Sequence, residues 1–237
     1  MVESTAVSAY DGFAPIYDAW SAHMTEDVDF YIDLARQADG PVVELAVGNG
    51  RVAIPVGNAT GKRIIGIDSS TAMLAAARER ADAAGVELDL RMGDMRDLQL
   101  DDRAALVYCP FRSLLHLPTW ADRRRVFERV AAALSPGGRF AWNAFVLNPH
   151  RAAESDGAWA EQQGVLHRID HVPADNRIDI TLESGAQVSL WWVSRGEWEG
   201  LLDVSGLETE ALYGWFDRRP FDEESREFVW VARKPVI

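Results

Sequence analysis

The chain has 237 residues, 48% hydrophobic and 26% charged, a globular balance with room for one α/β domain carrying an insertion. Against 24 Lys plus Arg stand 37 Asp plus Glu, a formal charge of −13 that repels phosphate backbones on average and argues against nucleic-acid substrates. A single cysteine, Cys109, excludes an internal disulfide and argues against a cysteine-based metal site. No apolar run approaches the ~20 residues that cross a bilayer, and the start Met1-Val2-Glu3-Ser4 lacks the order of a signal peptide, so a cytoplasmic location without a membrane partner is expected.

Near the amino end, Tyr10, Phe13, Tyr17 and Trp20 recur every three or four residues beside Asp11 and Asp18, the pattern of an amphipathic helix lying on a larger body. Val42-Val43-Glu44-Leu45 then reads as a buried strand that runs through Ala46-Val47-Gly48-Asn49-Gly50-Arg51 into a helix. Gly48 and Gly50 lack the Cβ that obstructs a sharp turn beside a ligand, and the helix start offers unpaired N–H groups and a positive dipole end. A plain strand-to-helix turn has the same composition. Residues 62–68 form a second apolar strand, ending in Asp68 twenty residues beyond Gly48. Asp68 fits two roles: acceptor for a pair of ribose hydroxyls, or N-cap of the helix that begins near Ser70. A third strand, 87–92, ends in the turn dipeptide Gly93-Asp94 followed by Met95. In an open parallel sheet, adjacent strand ends of this kind line one crevice.

Thr119 with Asp122 reads as a capping box for a helix running toward Leu134, on which Val126, Val130 and Leu134 are apolar and Arg123-Arg124-Arg125 form a solvated face. Between about residues 164 and 193 the period changes to two, so antiparallel strands with turns at Asp175-Asn176 and Ser184-Gly185 are expected. Ser194 with Glu197 starts a helix that Gly206 stops. Segments 208–215 and 226–233 read as closing strands joined by a loop containing Pro220, and Cys109 reads as a small core residue beside Tyr108. No internal repeat is present.

With its strand ends in this order, the sequence resembles the class I S-adenosylmethionine (SAM) dependent methyltransferases. The likeness begins with the glycine loop opened by the acidic Glu44, the acid Asp68 and the pair Gly93-Asp94. It continues in Val107-Tyr108-Cys109-Pro110-Phe111-Arg112-Ser113-Leu114-Leu115-His116-Leu117, similar to the family's fourth strand and substrate-facing loop, and in Leu134-Ser135-Pro136-Gly137-Gly138-Arg139-Phe140, similar to its turn into the fifth strand. The resemblance implies an α/β fold with a doubly wound, Rossmann-like seven-stranded sheet and an antiparallel β insertion after the fifth strand. It divides the chain into a helical lid (1–40), a SAM-binding core (41–148), a β-layer over the acceptor pocket (149–195) and a last helix with closing strands (196–237). It assigns Ala46, Gly48, Asn49, Gly50 and Arg51 to the methionine part of SAM, Asp68 with Ser69 beside it to the ribose, and Met73 to one adenine face. Gly93, Asp94 and Met95 fall to the adenine edge, Phe111 and Ser113 to the neighbourhood of the methyl group, and Tyr17-Asp18 to a Tyr-Asp pair in the lid. Ala46 stands where relatives commonly carry glycine, which implies reduced clearance rather than lost binding.

Methyl transfer from SAM is an in-line displacement by an activated reagent, so the protein has mainly to position the reactants and exclude water. An amine or hydroxyl acceptor needs a base, for which His116 is the candidate catalytic residue; the other reading has it capping local structure or facing solvent. His167 and His171 share a strand face without a nearby acid, a poor metal site, and are read as structural. Of Trp191, Trp192, Trp198, Trp215 and Trp230, most are expected in the core, with one or two left to line an apolar acceptor pocket. The expected activity is methyl transfer to a nitrogen or oxygen of a small-molecule acceptor. A SAM-binding regulator or inactive partner subunit is one alternative. A nicotinamide (NAD) dependent dehydrogenase is another, although Ala46 and Arg51 occupy the first and last glycine positions of its Gly-x-Gly-x-x-Gly pattern.

Overall fold

The structure, a computed structural model, describes residues 17–21 and 24–236. Tyr10, Phe13 and the side chain of Trp20 lie outside the described residues, and the expected amino-terminal helix is seen only as α1 (Tyr17–Ser21). The chain then runs through α2 (Glu26–Gln37), β1 (Val42–Leu45), α3 (Ala53–Thr60), β2 (Ile64–Asp68), α4 (Thr71–Ala84) and β3 (Leu88–Met92). Next come β4 (Ala104–Cys109), α5 (Trp120–Ala133), β5 (Leu134–Phe145) and α6 (Pro149–Ser155). Four strands follow, β6 (Trp159–Gln162), β7 (Val165–Val172), β8 (Arg177–Leu182) and β9 (Gln187–Trp191), before α7 (Arg195–Ser205), β10 (Glu208–Tyr213) and β11 (Glu227–Arg233) close the fold.

The larger sheet has seven strands in the order β10-β11-β5-β4-β1-β2-β3. Strand β11 is antiparallel to both neighbours, while the pairings from β5 to β3 are parallel. The order reverses between β1 and β4, the switch point beyond whose strand ends open α/β sheets hold ligands. Parallel strands covered on both faces read as continuous apolar runs, and all four residues of β1 are buried. On one face α5 and α7 bring Phe127 and Trp198 against Trp142 and Trp230, whose indoles stack with centroids 5.7 Å apart. On the other, α2, α3 and α4 pack Tyr31, Val56 and Leu74 over Ile64 and Leu106. Trp198, Trp230 and Cys109 are therefore core, whereas Trp191, Trp192 and Trp215 stay half-buried.

The predicted caps are present: the Thr119 and Ser194 side chains accept from the amides of Asp122 and Glu197, and Gly206 ends α7 in the left-handed region. Three expectations are corrected. The inserted segment opens with helix α6 and contains a fourth strand, giving a separate sheet β6-β7-β8-β9; Trp159, Ala160 and Glu161 are exposed, so no buried alternation marks β6. The 134–140 turn is absorbed into β5, where the register with β4 breaks between Ala104 and Leu106. Arg123 is not solvated but buried, donating to Glu197 Oε1 at 2.8 Å and to the Leu117 carbonyl, while Arg124 and Arg125 are exposed. Strand β9 lies over the turn Ser113–His116, and Phe145 and Ala19 pack against the core of the small sheet. Among the described residues no helix is long and apolar enough to cross a membrane, and no cluster of metal ligands is present.

Candidate active site

A cavity of about 390 Å³ lies beyond the carboxyl ends of β1 to β4. Tyr17, Ala46, Gly48, Asp68, Ser69, Met73, Gly93, Asp94, Met95, Phe111, Ser113 and His116, all singled out in the sequence, line it. Leu117, the end of the loop read as substrate-facing, lines it as well, and so do Ile67, Arg96 and Pro118, which were missed. Leu117 and Pro118 directly follow the turn that carries His116, whereas Arg96 had only its nearness to Asp94 as a signal.

Asp68 ties two strand ends together. Its Oδ2 accepts from the Gly48 amide at 2.8 Å and its Oδ1 from the Ser70 amide at 2.8 Å. The N-cap of α4 is Ser70, whose Oγ accepts from the Met73 amide at 3.1 Å, so the capping role considered for Asp68 is filled by its neighbour. Ala46, Gly48 and Gly50 have φ of 54°, 55° and 81°. Glycine takes this region freely, and a Cβ at Gly50 would stand 2.8 Å from Ile54 Cδ1. Alanine at position 46 carries about 1–2 kcal/mol of left-handed strain.

Asn49, Gly50 and Arg51, read from the sequence as contacts to the methionine part of SAM, do not line the cavity. Asn49 is buried and donates to Asp18 Oδ1 at 2.9 Å. Arg51 turns its guanidinium to Asp27, in a two-pronged pair of 2.8 and 2.6 Å, to the Met24 carbonyl, and over the Phe111 ring at 4.9 Å. These residues brace the loop from behind because the charge of Arg51 is matched by a fully buried carboxylate. Asp18 also pairs with Arg80 at 2.6 Å, and the Tyr17 ring meets Phe111 edge-on at 5.9 Å, so the start of α1 borders the cavity. Burial pushes the Tyr17 hydroxyl up to about 12.

Glu44, just before the glycine loop, is buried in the sheet and accepts from the Tyr108 hydroxyl at 2.8 Å. Burial, opposed by that hydrogen bond and by Arg51, raises its pKa to about 8, so it is largely protonated at neutral pH. At the end of β3, Asp94 is held by the Arg96 backbone amide at 2.8 Å and by its guanidinium at 2.6 to 3.0 Å. Burial works to raise the Asp94 pKa, but the Arg96 hydrogen bonds outweigh it and keep the carboxylate ionised. Arg96 also reaches Asp122 at 2.9 Å, tying the β3 loop to the start of α5.

His116 is half-buried in the wall, its Nδ1 3.2 Å from the Ser189 carbonyl of β9. A carbonyl only accepts, so Nδ1 carries the proton and Nε2 is the acceptor nitrogen. Burial lowers the pKa to about 4, which leaves the ring neutral at physiological pH. His167 and His171 sit apart in the small sheet, bonded to the Val165 carbonyl and the Ser155 hydroxyl.

The loop after β4 contains two successive non-glycine residues with positive φ, Phe111 at 55° and Arg112 at 64°. Each costs about 1–2 kcal/mol relative to ordinary backbone and persists only where its surroundings hold it. Phe111 faces the first cavity, while Arg112 faces a second one of about 1000 Å³ bordered by Phe145, Arg151, Trp215, Arg226 and Glu227. One dipeptide thus forms part of the wall of both.

Residues 42–138 match the model of a family described as a methyltransferase domain. The chain is 30% identical over 222 residues to 27-O-demethylrifamycin SV methyltransferase of Amycolatopsis mediterranei, spanning 85% of this chain and 80% of that protein. It is similar to the solved structure of the CcbJ methyltransferase from Streptomyces caelestis, with a TM-score of 0.82, 27% identity and 97% and 98% of the two chains covered. It shares its fold with SAM-bound CalS10, an amino pentose methyltransferase from Micromonospora echinaspora, at a TM-score of 0.66 and 21% identity over 99% and 100% of the chains. These likenesses replace both alternatives, the dehydrogenase and the inactive SAM-binding subunit, with a SAM-dependent enzyme. The chain belongs to the class I SAM-dependent methyltransferases.

Proposed function

We propose that this enzyme transfers the methyl group of SAM to a nitrogen or oxygen of a small-molecule acceptor. The observation that carries the reading is the convergence of Gly48, Asp68 and Asp94, from three strand ends, on one cavity that Tyr17 of α1 partly roofs, with β9 packed behind its Ser113–His116 wall. That roof suits a compact acceptor better than a nucleic-acid duplex, in keeping with the charge of −13. One relative is named for a 27-O-demethyl compound, which supports an oxygen acceptor, and a solved structure of the same fold is that of a glycopeptide N-methyltransferase, which keeps nitrogen in the reading.

When bound, SAM supplies a methyl group already activated on a positively charged sulfur. The donor set fits it. Asp68 has carboxylate lone pairs for a ribose diol, with Ser69 beside it, and Met73, Ile67 and Leu117 give apolar contact for a flat ring. Gly93, Asp94 and Met95 lie at the adenine edge, with Asp94 held ionised by Arg96 as an acceptor for an exocyclic amine. Ala46 and Gly48 admit the methionine chain past their small side, and Tyr17 closes over it. Phe111 and Ser113 bound the space where the acceptor meets the methyl group, and Tyr17 of α1 beside Phe111 and β9 behind the Ser113–His116 turn limit the access of water. His116, neutral and oriented by Ser189, takes or shares the acceptor's proton at Nε2. Residues 1–40 serve as the lid and 149–195 as the acceptor-side layer.

Incubation of the protein with SAM and panels of amines, phenols and carboxylates, with S-adenosylhomocysteine (SAH) formation as the readout, tests the proposal. Acceptor-dependent SAH from the amine, phenol or carboxylate panel supports it. Activity confined to nucleic acid or protein added in parallel overturns it.

A further inference from the structure

We infer that Arg112 and Glu227 are positioning residues that together hold the Phe111 ring in the wall of the SAM pocket. The inference rests on the proposed role of Phe111 as a cofactor contact. Phe111 and Arg112 form a backbone conformation that side chains disfavour, and nothing in the local sequence, no glycine or asparagine, makes it easy. The Ser113 amide and hydroxyl close the turn on the Pro110 carbonyl, at 3.2 and 2.7 Å, and a distant partner holds the Arg112 side chain.

The restraint comes from 115 residues away. Glu227, the first residue of β11, is fully buried, and its carboxylate takes Arg112 Nε at 3.0 and 3.2 Å and Nη2 at 2.8 Å. This planar fork fixes the guanidinium in orientation as well as position. Glu227 is itself held: Asn143 Nδ2 of β5 donates to its Oε1 at 2.6 Å, and Tyr31 of α2 donates to Asn143 Oδ1 at 3.3 Å. The Phe145 ring lies 5.7 Å from the guanidinium. Arg112 is thus pinned to the paired strands β5 and β11 inside the sheet, and that pin steadies Phe111, one residue earlier, as it faces the cavity. Tyr17 and Arg51 then meet the ring from the other side, at 5.9 and 4.9 Å.

Tyr31 also stacks on Tyr108 with centroids 4.9 Å apart, and Tyr108 bonds to Glu44 ahead of the glycine loop. A continuous buried row of side chains therefore joins both sides of the SAM pocket through the sheet. It gives Glu227 a purpose that the sequence hides: a buried carboxylate in the middle of Arg-Glu-Phe at a strand start reads as an ordinary surface residue.

Calorimetric titration of SAH into the wild type, Phe111→Ala, Arg112→Gln, Glu227→Gln and the Phe111→Ala/Arg112→Gln double variant decides the matter. Each single variant is expected to weaken SAH binding at least fivefold. The double variant is expected to bind within twofold of Phe111→Ala alone, because a residue acting through Phe111 has nothing left to act on once the ring is gone. Arg112→Lys should behave like Arg112→Gln, since an ammonium cannot make the fork. Wild-type affinity in Arg112→Gln overturns the inference, and so do losses that multiply in the double variant. Unchanged affinity in Phe111→Ala instead removes the role of Phe111 on which the inference stands. Should Glu227→Gln fail to fold, the part-exposed Arg112 variants and the double variant carry the test by themselves.

Discussion

Replacing Glu44 by Gln should make the fold less sensitive to rising pH. In the folded protein burial raises the Glu44 pKa from 4.5 to about 8, so folding favours the protonated acid. Its contribution is therefore complete below about pH 4.5 and is lost as pH rises toward 8, where the unfolded chain ionises freely and the folded chain resists. At about 1.4 kcal/mol per pH unit of difference, the group costs the wild type on the order of 1 kcal/mol at pH 5 and about 4 kcal/mol at pH 8. Glutamine keeps an oxygen for the Tyr108 hydroxyl and carries no charge at either pH. Urea denaturation of both proteins at pH 5, 6.5 and 8 reads the effect, because all other groups cancel in the difference. The variant should gain on the wild type by about 3 kcal/mol between pH 5 and pH 8, with unchanged m-values. A difference that stays flat within about 0.5 kcal/mol would show that Glu44 ionises normally in the folded protein, and the picture of a neutral acid beneath the glycine loop would fail.

Asp27→Ala should cost about 3 to 5 kcal/mol in chemical denaturation, because it strips a fully buried partner from Arg51, with the Met24 carbonyl keeping the loss toward the lower end. Ala46→Gly relieves left-handed strain of about 1–2 kcal/mol but adds freedom to the unfolded chain, so its stability should stay within about 1 kcal/mol of wild type. Its SAH affinity should be equal or tighter by calorimetry, and weaker binding would contradict the view that the Ala46 methyl only narrows the pocket. His116→Asn, once an acceptor is in hand, should lower turnover while leaving SAH binding unchanged. The wild-type rate should show no inflection near pH 6.5, since burial holds the His116 pKa near 4.

Much of the site was legible in the sequence because its parts are local. A glycine turn, a strand-end acid and a Gly-Asp turn each sit within a few residues of a recognisable strand, and the doubly wound topology brings those strand ends together. What stayed hidden depends on long-range partners. Arg51 looked like a loop residue facing the ligand until Asp27 claimed its guanidinium, and Arg123 looked solvated until Glu197, 74 residues on, paired with it. Glu227 and Arg112 carry no local mark of their pairing. Strand β6 escaped notice because its residues are exposed along most of its length and alternate in nothing. Conversely, the buried Glu44 was legible as the acidic start of the loop, but its neutrality follows only from its burial in the sheet.

Calorimetric titration of SAM into the intact protein and into Asp68→Ala, with NADH titrated alongside, tests the assignment of this cavity to SAM most directly. Stoichiometric SAM binding by the intact protein, weakened at least about tenfold in a folded Asp68→Ala variant and matched by no NADH binding, is the predicted result, since the variant removes a charged acceptor from the diol. Equal SAM affinity in the two proteins would place the cofactor away from Asp68, and NADH binding without SAM binding would contradict the account at its root.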